Sequence, residues 1–96
     1  PEHIVLKQAW EEVAEALEHT REQIRQGKLS PLAWFMQKNL MDVALLARYA
    51  GKWQWQVRRH LKPSVFKKLS PRMLERYARV FNITAAELQS FDGESI

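Results

Sequence analysis

Apolar residues recur along most of the 96-residue chain at steps of three and four, the spacing that gathers them on one side of an α-helix. Over about residues 3–26, Leu6, Trp10, Val13, Leu17, Thr20 and Ile24 follow alternating four- and three-residue steps. One face is therefore apolar with a polar break at Thr20, while Glu11, Glu12, Glu15, Glu18 and Glu22 occupy other faces. Gly27 offers a left-handed stop. Ser30-Pro31 reads as a helix start, a capping hydroxyl followed by a residue with no amide proton to satisfy. The helix it opens carries Leu32, Phe35, Met36 and Leu40. Asp42 is the next expected cap, for a helix from Val43 to Ala50 that Gly51 ends. A further helix is predicted from about Trp53 to Leu61, because Pro63 discourages helical geometry at Lys62. Residues 62–69 read as a connector or a short turn of helix. Ser70-Pro71 repeats the start signal, Asn82 supplies a stop after Phe81, and Thr84 with Glu87 makes a capping box ahead of Leu88 and Phe91. The tail Asp92–Ile96 is expected to fray. Few β-branched runs alternate with period two, so the pattern predicts an all-α protein.

Composition narrows the chemistry. The length fits one domain with one modest core. There is no cysteine, which excludes disulfides, thiolate metal sites and cysteine nucleophiles and suits a reducing cytoplasm. No apolar run is long enough to span a membrane and no export leader is expected from these residues, while the start at Pro1 rather than methionine leaves open a trimmed leader. The Asn82-Ile83-Thr84 triplet fits a glycosylation acceptor but reads here as a helix boundary. The net charge of +4 is unevenly spread. Residues 1–30 and 82–96 are net acidic, whereas residues 31–81 hold eleven basic side chains against two acidic ones. A field concentrated in one part of a small domain implies a polyanionic partner; the plain alternative is a solvated surface rich in lysine and arginine.

That basic stretch contains a recognisable spacing. Ala47 lies four residues before Gly51 and Val57 six after it. Two helices that cross closely need a small residue at the crossing, a glycine in the turn and an apolar anchor on the second helix. Asp42, Leu46, Ala47, Gly51 and Val57 meet that plan, and residues 31–91 resemble the Cro and phage-repressor type of helix-turn-helix, the Xre-like family. Leu74, Tyr77, Ala78, Phe81, Ile83, Thr84, Glu87 and Leu88 look like its closing two helices. The resemblance implies a five-helix bundle of the lambda-repressor-like type, preceded by an extra long N-terminal helix. The expected divisions are an amphipathic element over 1–30, the helix-turn-helix domain over 31–91 and the tail over 92–96. Two positions depart from the family pattern, Lys52 and His60, where apolar side chains usually pack. Trp53 and Leu61, one position later, are candidates to replace them, which would shift the second helix by about one residue.

The family lays its second helix in the major groove, so the outward face of residues 53–62 is the expected reader. With Val57 inward at about 100° per residue, Trp53 and Leu61 fall near it while Trp55, Arg59 and Lys62 point nearly opposite, and Arg58 and Gln54 flank them. Gln54, Trp55, Arg58 and Arg59 are the candidate base readers: arginine forks onto guanine and glutamine pairs with adenine. Trp55 either lies against a thymine methyl or sugar, or is core if the register slips. Lys38, Arg48, Lys52, Lys62, Lys67, Lys68 and Arg72 are candidate phosphate contacts, assisted by the helix N-termini at Asp42 and near Trp53. Arg76 and Arg79 read as solvated. His3, His19 and His60 lack metal-ligand spacing, the serines read as caps, and no phosphate-cradling glycine loop occurs, so no enzyme activity, cofactor or small-molecule substrate is expected. Function is then expected to be sequence-specific binding of double-stranded DNA by a cytoplasmic, nucleoid-associated regulator of bacterial or phage type. The alternative is a protein-interaction adaptor gripping an acidic partner with the same basic face; a membrane-surface helix is disfavoured by its acidity. Leu6, Trp10, Val13, Leu17 and Ile24 are the candidate interface of a homodimer, or else the inner face of an ordinary core helix.

Overall fold

The computed structural model describes residues 2–93, with side chains from Trp10 onward. Among them are seven helices and no strand: α1 (Glu2–Arg25), α2 (Pro31–Lys38), α3 (Val43–Ala50), α4 (Gln54–His60), α5 (Pro63–Phe66), α6 (Pro71–Phe81) and α7 (Ala85–Ser90). Most boundaries follow from the residues at them. Asp42 accepts the Leu45 amide at 2.8 Å, Ser70 the Met73 amide at 3.2 Å, and Thr84 the Glu87 amide at 3.0 Å. Each satisfies a donor that the first helical turn leaves unpaired. Gly27 and Gly51 end α1 and α3 at φ 77° and 68°, where a glycine meets no Cβ penalty, and Asn82 does the same for α6 at φ 58°. Leu40 also takes a left-handed φ, 56°, between α2 and α3, an uncommon conformation for an apolar residue.

Ser30 behaves differently from the cap its sequence announces. Its side chain makes no bond to α2; it is wholly buried, and its hydroxyl donates instead to the His60 carbonyl at 2.8 Å. Its amide donates to the Leu61 carbonyl, also at 2.8 Å. The start of α2 is thereby stitched to the end of α4, and Pro31 alone supplies the local start signal.

Leu32, Leu46, Val57, Tyr77 and Leu88 have no exposed surface and form the centre of the core, one each from α2, α3, α4, α6 and α7. The periodic apolar face of each helix points there. Among the described side chains, the long helix α1 packs on α2 through its C-terminal turns. Ile24 is buried, and buried Thr20 donates to Gln37 Oε1 of α2, so the polar break in the stripe is a satisfied hydrogen bond. Trp34 stacks on Phe91 with ring centroids 5.0 Å apart. Gly93 sits against α1, where a Cβ would stand 2.7 Å from the Arg21 carbonyl, and its own carbonyl accepts from Arg21. Asp92 and Gly93 therefore do not belong to a frayed tail; Glu94, Ser95 and Ile96 lie outside the described residues. The molecule measures 48 × 28 × 23 Å, elongated as a helix of about 36 Å attached by one end requires.

Ala47 is 4% exposed on α3, a helix that packs against both α4 and α6. Replacing it by leucine should overpack that packing and destabilise the protein by about 1–3 kcal/mol. Urea unfolding measures this, and an unchanged midpoint would place the crossing elsewhere.

Candidate nucleic-acid interface

The helix α4 has two turns, too short to persist alone, so its placement comes from what grips it. Val57 is wholly buried and Leu61 packs partly buried against the same core. At the N-terminal end, the Trp53 amide donates to Gln56 Oε1 at 3.0 Å. At the other end, Ser30 binds the carbonyls of residues 60 and 61, and the His60 ring meets buried Tyr77. The Tyr77 hydroxyl and His60 Nδ1 are 2.6 Å apart, with the rings edge to face. Burial raises the phenol far above its usual range, so Tyr77 keeps its proton. Position 60, apolar in the resembled family, is here a polar strut rather than a defect.

With Val57 inward, Gln54, Trp55, Arg58 and Arg59 are all exposed on the outer side of α4. Arg58 donates to Gln54 Oε1 at 3.2 Å, one turn away, which orders both side chains together. Trp55 is 55% exposed, so its core reading is set aside. Trp53 corrects the expectation that it replaces an apolar partner at 52: it is 72% exposed and caps the helix from outside. Leu61 alone makes the expected inward substitution.

The segment from Val43 to Leu74 contains eight basic residues and no acidic one. Lys52 and Arg59 stand close enough to the His60 ring to act on its charge. Arg48 lines a groove with Gln37, Leu45 and Gln54, so it adjoins the outer face of α4. Lys62, Lys67 and Lys68 are exposed on either side of α5. Lys38 lies apart from these, 6.0 Å from the Trp34 ring and beside Phe91. Arg72 opens a different groove of about 630 Å³, lined also by Tyr49, Arg76 and Arg79. Arg76 and Arg79, solvated as the sequence suggests, share one face of α6 with Arg72, as their successive steps of four and three imply, and Glu75 lines the same groove. Arg76 also reaches the Ala50 carbonyl at 3.4 Å, at the end of α3. The expected anion attraction of the α3 N-terminus is reduced, since Asp42 already places a carboxylate on it. The ion pairs of Arg21 with Glu18 and Arg25 with Glu22 both lie within α1.

Of the five residues expected at a subunit interface, Ile24 is 7% exposed inside its own fold and is withdrawn from that list. The Leu6 side chain lies outside those described. Trp10 is 72% exposed, and Val13 and Leu17 are half-buried.

Among the described residues, no three histidines, cysteines or carboxylates gather as metal ligands, and no helix is long and apolar enough to cross a membrane. The geometry defines a small all-helical protein with a two-turn helix capped at its start by its own Gln56, held at its end by Ser30 and Tyr77, and lying within a cationic segment. No protein-family model, characterised protein or solved structure matches the chain.

The clamp titrates. Burial first, then Lys52 and Arg59, lowers the His60 pKa below its usual 6.5. As pH falls below that value the unfolded chain takes the proton before the folded one does. The neutral ring's contribution is therefore complete above 6.5 and is lost as pH drops through the lowered value. Urea midpoints should fall across that window, and more steeply for the native chain than for His60→Gln. Parallel profiles would show that His60 does not carry the effect.

Proposed function

We propose that this protein is a helix-turn-helix regulator of the Cro and phage-repressor type that binds double-stranded DNA sequence-selectively through α4. In this reading α2, α3, α4, α6 and α7 are the five helices of a lambda-repressor-like bundle, and α1 is an addition to it. One observation carries the reading. Val57 holds α4 to the core while Gln54, Trp55, Arg58 and Arg59 face outward, inside a segment with eight cations and no carboxylate.

A duplex presents closely spaced phosphates and, in its major groove, a distinct donor and acceptor pattern for each base pair. The exposed lysines and arginines around α4 supply the sequence-independent attraction. In this reading the exposed Arg58 and Arg59 fork onto guanine O6 and N7. Gln54 offers amide groups to adenine, and its bond with Arg58 makes the two read as a unit. Trp55 brings an apolar edge suited to a thymine methyl or a sugar. Arg48, Lys52, Lys62, Lys67, Lys68 and Arg72 are assigned to phosphates, which fix position without reading sequence. Lys38, beside Trp34, and Arg72, in the α3–α6 groove, lie apart from this face and are the weakest of these assignments.

Selection of duplexes from a random pool should yield a preferred site whose binding weakens steeply with salt. On that site, Arg58→Ala and Arg59→Ala should each cost roughly 1–3 kcal/mol and relax preference at one base pair, whereas Lys68→Ala should weaken all sequences alike. Unchanged affinity in the double arginine variant, with its helical spectrum intact, would refute the assignment. No preference among duplexes together with a shallow salt slope would favour the adaptor instead, gripping an acidic partner with the same basic face.

A further inference from the structure

The groove of about 630 Å³ between α3 and α6 shares no arginine with the one that Arg48 lines beside Gln54. We propose that it docks an acidic amphipathic helix of another protein, so that the molecule carries a protein-binding surface apart from α4. Arg72, Arg76 and Arg79 follow one another along α6 at steps of four and three, a row of about 10 Å. All three are exposed, and none takes part in an ion pair among the described residues, where the pairs found lie within α1. Glu75 stands three residues from Arg72 and four from Arg79, spacings that permit pairing, yet neither pair forms. Arg76 gives one N–H to the Ala50 carbonyl at 3.4 Å, which lays its guanidinium across toward α3.

The remainder of the groove selects among anions. Met41 and Val80 are half-buried beside the row, and Tyr49 is 63% exposed along it. An apolar strip next to cations suits a partner that carries an apolar side chain beside its charges, and tyrosine and arginine often dominate such contacts. A chain of phosphates offers no such side chain. It would also set a charge against Glu75, within the row, whereas a protein segment can place an amide or hydroxyl donor there. Carboxylates on a helix at steps of three and four repeat the spacing of the arginines, and each can take a guanidinium through two parallel bonds. The volume falls in the range of about 300–1,000 Å³ typical of binding clefts. A second copy is a poorer occupant, because the chain's own acidic row on α1 has Glu18 and Glu22 already paired with Arg21 and Arg25.

The test uses the whole chain and a fluorescein-labelled synthetic helix with glutamates at successive steps of four and three and a leucine beside them. Fluorescence anisotropy should show binding that weakens as salt is raised. Glutamine in place of the peptide's glutamates should weaken it by roughly tenfold, and serine in place of its leucine by roughly fivefold. On the protein, Arg79→Gln with Tyr49→Ala should weaken binding by roughly tenfold. Both side chains are exposed, so the helical spectrum and melting temperature should hold; Arg72→Gln is the second variant if that one folds poorly.

Neither Arg79 nor Tyr49 is assigned to DNA, so the selected duplex should bind the double variant as it binds the native chain. Arg58→Ala with Arg59→Ala should do the reverse, losing the duplex and keeping the peptide, so the two readings fail separately. No binding by the native chain, binding indifferent to the leucine or to Arg79 and Tyr49, or equal loss of peptide and duplex in that variant would overturn the proposal. So would self-association of the chain alone that Arg79→Gln abolishes, since the occupant would then be a second copy.

Discussion

Three hydrogen bonds from outside α4 hold its last turn, and the outward face of that helix has its direction from them. Ser30 binds two successive carbonyls and Tyr77 binds the imidazole between them. All three bonds are at least partly removed from water, where an unpaired polar group costs more than a hydrogen bond returns. Turning α4 about its axis would keep Val57 near the core for a few degrees but would break these bonds at once. A two-turn helix cannot supply that rigidity itself. The same junction ties together α2, α4 and α6, three helices distant in sequence, so the arrangement is specific rather than merely hydrophobic.

The ends of the helices were legible because their determinants are local. Asp42, Ser70, Thr84, Gly51 and Asn82 act within one turn of their own position, and each stands where its type predicted. The inward set of α4 was legible too, since Val57 and Leu61 follow from helical spacing alone. Readings failed where the partner is remote. Ser30 has the local context of a cap but bonds a carbonyl thirty residues away. Helical spacing from Val57 sets Trp53 inward, yet Trp53 is the extended residue that precedes the first turn of α4 and is exposed. Gly93 looked like the beginning of a loose end, and only its fit against Arg21 and Arg25 shows why a side chain is excluded there.

Charge patterning was read correctly in bulk and incompletely in place. The basic excess of the middle segment is a fact of sequence, but it divides over the outer face of α4, the ends of α5 and the α3–α6 groove. That division arises because α6 runs along α3 and presents its arginine row to Tyr49, away from Gln54 and Arg58. A uniform basic face is therefore too simple a picture.

The tryptophans are distributed with unusual economy for a chain of this size. Trp10 stands exposed on α1, Trp34 is the buried partner of Phe91, and Trp53 and Trp55 lie exposed at the start of α4. An indole emits at shorter wavelength in an apolar setting and at longer wavelength in water, and each of these regions holds its own emitter. Conservative replacement of all but one region's indoles would isolate its signal, so that the body, α1 and the start of α4 become three optical channels in one molecule.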